Sequence, residues 1–394
     1  MEHKTRIKGN VHYVGVNDRN KHRFEGMWPL PYGVSYNSYL IDDEMVALVD
    51  TVDICYFEVY LRKIKQVIGE RPINYLIINH MEPDHSGSIR LIKQHYPEII
   101  IVGNKQTFGM IEGFYGVTGE QYLVKEGDFL ALGHHKLRFY MTPMVHWPET
   151  MMTFDETDGV LFSGDGFGCF GTVDGGFLDT RINVDKYWGE MVRYYSNIVG
   201  KYGSPVQKAL QKLGGLPISA ICSTHGPVWT ENIAKVIGIY DRLSRYDADE
   251  GVVIAYGNTE QMAEAIAEEL SAQGVKNIVM HNVTKSHPSY IIADIFRYKG
   301  LIIGSPTYSN QIFPEVEALL SKILLREVKG RYLGYFGSFT WAGAAVKRLA
   351  EFAEKSKFEL VGDPVEMKQA MKDLTYTQCE NLARAMADRL KKDR

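Results

Sequence analysis

Cysteine is scarce in this chain. There are four in 394 residues (Cys55, Cys169, Cys222 and Cys379), and no two form a Cys-x-x-Cys pair. That absence argues against a zinc ribbon, a fused rubredoxin-type iron centre or a thioredoxin-like site, and the scattered thiols read as small buried hydrophobes. An excess of one charge is missing too: 44 basic residues against 48 acidic ones leave a net charge of −4, which gives no electrostatic case for nucleic acid or an anionic membrane. No apolar run approaches the roughly 20 residues of a membrane span. The opening "MEHKTRIKGN" has no apolar stretch of signal-peptide type. These absences predict a cytoplasmic protein with reduced thiols and with no nucleic-acid or membrane partner. Internal repeats and low-complexity tracts are also lacking.

What is present divides in two. The length exceeds what one common core accommodates, so two domains are expected, with boundaries at 1–247 and 251–394. In the first, short apolar runs separated by turns read as strands: 11–16, 36–41, 45–50, 75–79, 98–103, 136–141, 159–163 and 219–223. The polar "SRYDADEG" (244–251) reads as a linker. Strict strand–helix alternation follows, with strands at 252–256, 277–281, 300–304, 331–336 and 358–362 and a last helix from about Thr377. The first of its helices puts Met262, Ile266 and Leu270 on one face and closes at Gly274. Five strands, each followed by a helix, predict an α/β doubly wound parallel sheet of flavodoxin-like size.

Chemistry concentrates in "NHMEPDHSGS" (79–88), where His80, Glu82, Asp84 and His85 follow directly on the strand "YLIIN". Three more candidates follow comparable strands: His146 in "MVHWPE", Asp165 in "SGDGFG" and His225 in "STHGPV". Taken alone, Asp165 between glycines reads as a turn former. Taken together, four histidines and three carboxylates at the ends of several strands can converge on one edge of a sheet sandwich. They suffice for two metals with one carboxylate bridging. A zinc hydrolase would carry His-x-His-x-Asp-His, and here Glu82 stands at the second histidine. The exchange hardens the site and adds negative charge, favouring iron or manganese over zinc and stabilising a ferric state. Zinc does no redox chemistry and has no need of it. His12, His95, His134, His135, His281 and His287 read as structural. Tyr194 and Tyr195 read equally well as packing aromatics or as donors near the metals.

Residues 1–250 resemble the metallo-β-lactamase superfamily, through the frame His-x-[His/Glu]-x-Asp-His. The glutamate variant, "HWPE", "FEGMWPLPYGVSYNSYLI" (24–41) and the flavodoxin-like half make the whole chain similar to the flavodiiron proteins (A-type flavoproteins). The resemblance implies an αββα sandwich with two non-haem irons. One iron would take His80, Glu82 and His146, the other Asp84, His85 and His225, and Asp165 would bridge them.

The second half offers three loops at the carboxyl ends of strands, where a flavin docks in this architecture. "YGNTEQMA" (256–263) sets Gly257, Asn258 and Thr259 at a helix N-terminus, whose N–H groups suit a phosphate. On its own, Asn-Thr before a helix is first of all a cap. "SPTYSNQ" (305–311) brings Pro306, Thr307, Tyr308 and Asn310, and "GSFTWAG" (337–343) brings Ser338, Phe339, Thr340, Trp341 and Gly343. Tyr308 and Trp341 can flank an isoalloxazine ring, so FMN is the expected cofactor. The phosphate loop departs from the usual flavodoxin-like pattern by several missing residues, because "VVIAY" runs straight into "GNTE".

The resemblance implies electron flow from an external donor, rubredoxin or a reductase, through FMN to the irons. The reaction implied is reduction of dioxygen to water or of nitric oxide to nitrous oxide. It also implies a head-to-tail homodimer, or a dimer of dimers, that brings each FMN to its partner's metals. Two rivals remain at this point. A zinc metallo-hydrolase with an appended flavodoxin-like domain predicts zinc, no flavin absorbance and ester or lactam turnover. A non-enzymatic electron carrier predicts FMN without iron.

Overall fold

The chain, seen in a computed structural model that describes residues 5–393, falls into two units. The first runs to Tyr195 and takes in Tyr202–Asp241, and the second comprises Ser196–Lys201 and everything from Arg242 onward.

The first unit is built on two sheets. One has seven strands in the order Arg6–Lys8, Val11–Tyr13, Tyr39–Ile41, Ala47–Val49, Tyr75–Ile77, Ile100–Gly103 and Gln121–Leu123. Its first strands pair antiparallel and the rest, from Ala47–Val49 onward, parallel. The other orders Phe129–Ala131, Lys136–Met141, Met151–Asp155, Val160–Gly164 and Ala220–Ser223. Alternate residues of both sheets share one core: Val49, Ile77 and Val102 from the first pack in a cluster with Leu137, Phe139, Met151, Phe162 and Cys222 from the second. That is the inner layer of a sandwich. Helices such as Phe57–Ile68, which buries Phe57, Tyr60, Leu61, Ile64 and Ile68 at helical spacing, supply the outer layers.

Several expected strands prove shorter or split. "VHYVGV" breaks into Val11–Tyr13 and Val16–Asp18, the latter pairing with Val34–Tyr36 in a separate ribbon. Gly15 sits at the break, and a Cβ there would lie 2.6 Å from Tyr36 O, so the two backbones approach as only glycine permits. Met151–Asp155 was not expected. All five of its residues are buried, so it shows no alternation to read. Cys169, Cys222 and Cys379 are buried free thiols as expected, whereas Cys55 is exposed.

In the second unit the sheet order is Ile278–Asn282, Asp249–Tyr256, Tyr298–Tyr308, Tyr332–Phe339 and Glu359–Leu360, all parallel. This is the 2-1-3-4-5 order of a flavodoxin-like sheet. The expected strand 358–362 is reduced to Glu359–Leu360. After Gly362 (φ +71°) and Pro364, Val365–Lys368 resumes pairing on the same neighbour. The last helix starts at Asp373, four residues before the expected Thr377, because exposed Leu374 and Tyr376 hide the apolar face of its first turn.

The polar stretch read as a linker is largely ordered. The helix Ile233–Ser244 ends inside it and the strand Asp249–Tyr256 begins inside it. Between them Tyr246 O accepts a bond of 2.9 Å from the guanidinium of Arg331. That side chain is buried and donates also to the carbonyls of Ile295 (2.6 Å), Phe296 (3.0 Å) and Lys329 (2.8 Å). Burial pushes its pKa down to about 10. Arg331→Met would orphan these carbonyls, at about 1–3 kcal/mol for each one left dry. The variant is expected to lose about 3 kcal/mol in urea unfolding followed by circular dichroism.

Candidate metal and flavin sites

The seven expected metal ligands of the first unit come together at one edge of the sandwich, and all are buried. The local sequence explains how. After the strand Tyr75–Ile77 the chain is still extended at Glu82 (φ −60°, ψ 134°), and Pro83 then opens the short helix Pro83–Ser86. Residues two apart in extended chain point the same way, as His80 and Glu82 do, and the helical turn re-aims Asp84 and His85. His146 hangs in the loop between the antiparallel strands Lys136–Met141 and Met151–Asp155. The bonds Met144 N→Trp147 O (2.7 Å) and Thr142 N→Thr150 O (3.0 Å) tie that loop down. Asp165 follows the strand Val160–Gly164. His225 follows Ala220–Ser223, in a turn where Gly226 (φ +81°) lies so close to Cys169 that a Cβ would meet its Sγ at 2.3 Å.

Asp165 divides the cluster into halves. Its Oδ2 lies 3.0 Å from His146 Nε2 and 3.7 Å from His80 Nε2, and His146 Nε2 is 3.2 Å from Glu82 Oε2. Its Oδ1 lies 3.3 Å from His85 Nε2 and 3.6 Å from His225 Nε2, and His225 Nε2 is 3.3 Å from Asp84 Oδ2. One carboxylate thus presents one oxygen to each of two three-residue sets. His146 Nε2 bonds Asp165 and Glu82, while the remaining distances match side chains that share a centre rather than one another. His80 Nε2, His225 Nε2, both carboxylate oxygens of Asp84 and both ring nitrogens of His85 are buried with no hydrogen-bond partner. Polar atoms in such a place are normally satisfied, so these unpartnered donor atoms gathered round one centre fit a pair of cations.

The backs of two histidines are fixed. His80 Nδ1 donates to Glu149 Oε1 at 2.7 Å, and His225 Nδ1 donates to Ser35 O at 2.7 Å, so each offers its Nε2 lone pair to the centre. Asn37 Nδ2 binds the carbonyls of Ser223 (2.9 Å) and Gly226 (2.8 Å), holding the His225 turn from both sides. Sequence reasoning gave these supports no role. Glu149 was visible only as the acid closing "HWPE", and Ser35 and Asn37 only inside the stretch 24–41. Tyr194 packs its ring 5.8 Å from that of His225, with its hydroxyl buried and unpartnered. The histidines read as structural make bonds of their own, among them His135 to Asp155 (2.9 Å) and His281 to Asp294 (2.9 Å).

Without metal the cluster titrates abnormally. Burial pushes the pKa of His85 down, but the Asp84 and Asp165 carboxylates more than offset it, lifting the imidazole to about 10. His146 is lifted well above its usual value against burial by bonds to Asp165 and Glu82. Burial, then Asp84, raises Glu82 to about 7. Asp165 is held well below the carboxylate range because His85, His146 and His80 outweigh its burial.

In the second unit the three expected segments lie at carboxyl ends of the parallel strands, but Ser305–Tyr308 and Gly337–Phe339 are still strand rather than loop. The helix Glu260–Ala272 follows Thr259, whose side chain makes no capping bond. Its hydroxyl lies 3.4 Å from Gly257 O, and Asn258 adopts φ +52°. The capping explanation of Asn-Thr therefore fails here, and the first-turn N–H groups have no side-chain acceptor. Thr307 Oγ1 accepts from Ala344 N (2.9 Å) and Ala345 N (3.2 Å), tying the second loop to the third. Ser309 and Asn310 both have positive φ and form the two-residue turn of a hairpin in which Tyr308 faces Gln311. Tyr308 and Trp341 are 56% and 81% exposed, which leaves ring surface free at this edge.

A sandwich with a two-metal donor set, joined to a flavodoxin-like sheet with bare aromatics at its carboxyl edge, defines a two-domain metalloflavoprotein. The comparisons agree. The family model described as ODP family beta lactamase matches residues 34–226, and the flavodoxin model matches residues 255–382. A Vibrio vulnificus protein named anaerobic nitric oxide reductase flavorubredoxin is 32% identical, over 90% of this chain and 73% of its own length. The rubredoxin oxygen:oxidoreductase from Desulfovibrio gigas superimposes with a TM-score of 0.94 at 31% identity, over 98% of each chain. The flavodiiron protein from Giardia intestinalis does so with a TM-score of 0.90 at 26% identity, over 98% of this chain and 97% of its own. The chain belongs to the flavodiiron protein family.

A pKa of about 10 leaves His85 protonated at pH 7 in the metal-free cluster, His146 is shifted the same way, and a cation must displace such protons. Metal binding is therefore expected to release protons and to strengthen as pH rises from about 6 to about 9. Calorimetry of the metal-free protein in buffers of different ionisation enthalpy checks both.

Proposed function

We propose that the protein reduces dioxygen to water, nitric oxide to nitrous oxide, or both, using electrons from a redox partner. The observation that carries this reading is Asp165, with one oxygen turned to each half of a buried two-metal donor set. The hydrolase alternative finds no support among the relatives, whose names are those of oxidoreductases. A pure electron carrier would have no use for seven buried ionisable groups.

In this reading residues 1–247 hold two non-haem irons and residues 251–394 hold FMN. His80, Glu82 and His146 would hold one iron, Asp84, His85 and His225 the other, and Asp165, with an oxygen turned to each set, would serve both. Bound FMN supplies one-electron transfer, and the bound iron pair supplies the redox-active centre at which a diatomic gas is reduced. The chain's own residues set the conditions. Glu82 and Asp84 add hard, anionic oxygen to each half, which favours iron over zinc. Phe24, Tyr36 and Tyr194 pack around the His225 ring and keep bulk water from that side. In the flavin half, the first-turn N–H groups after Gly257, Asn258 and Thr259 take the phosphate, and Tyr308 and Trp341 flank the ring. Pro306, Thr307, Asn310, Ser338, Phe339, Thr340 and Gly343 shape the two loops that carry those rings.

The donor in this reading is rubredoxin or a reductase, and the compartment is the cytoplasm, a view supported by four thiols that form no disulfide. Among the described residues no helix is long and apolar enough to cross a membrane. The two sites belong to different units, so a head-to-tail homodimer, or a dimer of dimers, is proposed to set each FMN against its partner's irons.

Glu82→Ala is expected to lower iron from two towards one per chain and to cut gas reduction at least about 100-fold, while the donor still reduces the flavin. Metal analysis and a visible spectrum beside the activity assay check this. Two tightly held zinc ions in the unaltered protein, with ester turnover and no gas reduction, would restore the hydrolase reading. Dimer function is checked by mixing Asp165→Ala chains with Trp341→Ala chains under conditions of subunit exchange. Heterodimers are expected to recover part of the activity that neither parent has, and no recovery despite exchange would mean electrons stay within one chain.

A further inference from the structure

The two halves of the donor set are supported unequally. His225 donates its Nδ1 proton to a neutral backbone carbonyl, that of Ser35, and His85 Nδ1 has no partner. Of the Nδ1 atoms of His80, His85 and His225, that of His80 donates to a carboxylate outside the donor set, that of Glu149, at 2.7 Å. Glu149 is wholly buried. Its Oε1 accepts a second bond from Met81 N (2.9 Å), and its Oε2 has no hydrogen-bond partner. A buried carboxylate with one oxygen unsatisfied is a poor stabilising device, since a hydrophobe of similar size would cost less to bury. It is also held rigidly. Asn104 Nδ2 binds Glu149 O at 2.5 Å, while Asn104 Oδ1 caps the helix Lys105–Tyr115 through Gln106 N (3.0 Å) and Thr107 N (3.1 Å). The backbone of Glu149 is thus anchored to a helix start, and its carboxylate is aimed at a ligand histidine.

We propose that Glu149 is a positioning residue that makes the two metal positions electronically unequal. By drawing the Nδ1 proton of His80 it fixes the ring and makes Nε2 a stronger donor. The metal held by His80, Glu82 and His146 then binds more tightly and is harder to reduce than the metal held by Asp84, His85 and His225, where no second carboxylate backs a histidine. The inference rests on the two-iron reading above.

The test is Glu149→Gln, which keeps size and a hydrogen-bond acceptor and removes the charge. Wild-type protein loaded with iron is expected to show two unequal midpoint potentials in a redox titration followed by electron paramagnetic resonance. In the variant, still holding two irons, the lower potential rises towards the higher one, which stays in place. Chelator competition should find one of the two irons held about 10- to 100-fold more weakly and the other unchanged. A merely structural role would weaken both positions or neither. Equal potentials in the wild type, or an unchanged gap in a variant with both irons bound, overturns the proposal. If Glu149→Gln does not fold, Glu149→Asp serves instead. It keeps the charge but draws it back by one methylene, and the gap should narrow by a smaller amount; an unchanged gap there overturns the proposal equally. A wild-type protein that binds FMN but not two irons would instead overturn the functional reading, and the inference with it.

Discussion

Three carboxylates and four imidazoles buried within a few ångströms of one another repel, dehydrate and half-protonate each other unless positive charge lies among them. Isolated charges in an apolar interior are among the most costly arrangements a protein can hold. Much of the first unit answers that constraint. Parallel strands deliver Asp165 and His225 to the same edge, at the ends of Val160–Gly164 and Ala220–Ser223, which are neighbours in the sheet and shift register between Phe162 and Gly164. The other sheet delivers His80 through Glu82 from Tyr75–Ile77, so donors arrive from both layers of the sandwich. The bonds outside the cluster face outward, to Ser35 O and to Glu149, and leave His80 Nε2 and His225 Nε2 bare.

The division of labour between the two units was legible because residue type and position agreed at several separate places. His80, Glu82, Asp84, His85, His146, Asp165 and His225 each follow an apolar run, and strand ends are where a sheet sandwich can gather side chains. What escaped reading was whatever depends on contact between distant segments. Ser35 and Asn37 brace His225 from nearly two hundred residues away in sequence, and nothing near them signals it. Met151–Asp155 was invisible because burial on both faces removes the polar alternation that marks a strand. The ribbon of Val16–Asp18 with Val34–Tyr36 depends on the backbone approach at Gly15, which no periodicity records. In the second unit the five parallel strands and their helices were read in order, since a parallel sheet repeats one local rhythm. The short antiparallel strand Gln311–Ile312 was not foreseen, and the fifth strand is broken at Gly362 and Pro364.

The flavin half shows how an apparently structural signal changes meaning once geometry is known. Asn-Thr before a helix is ordinarily a cap, yet Thr259 makes no such bond here and Thr307 serves instead the start of a different helix. The exposed rings of Tyr308 and Trp341 stand at the same edge, held on loops that are themselves well tied, so the aromatic surface is presented rather than loosely displayed.

The uncapped start of Glu260–Ala272 has one more consequence. A helix whose opening N–H groups lack an acceptor is short of part of its own stabilisation, and an anion that docks there completes it. Docking and fraying are then two ends of a single equilibrium, coupled by linkage. Any change that stiffens the first turn in its docked shape tightens the anion's hold, and any change that loosens the turn releases it, without touching the anion itself.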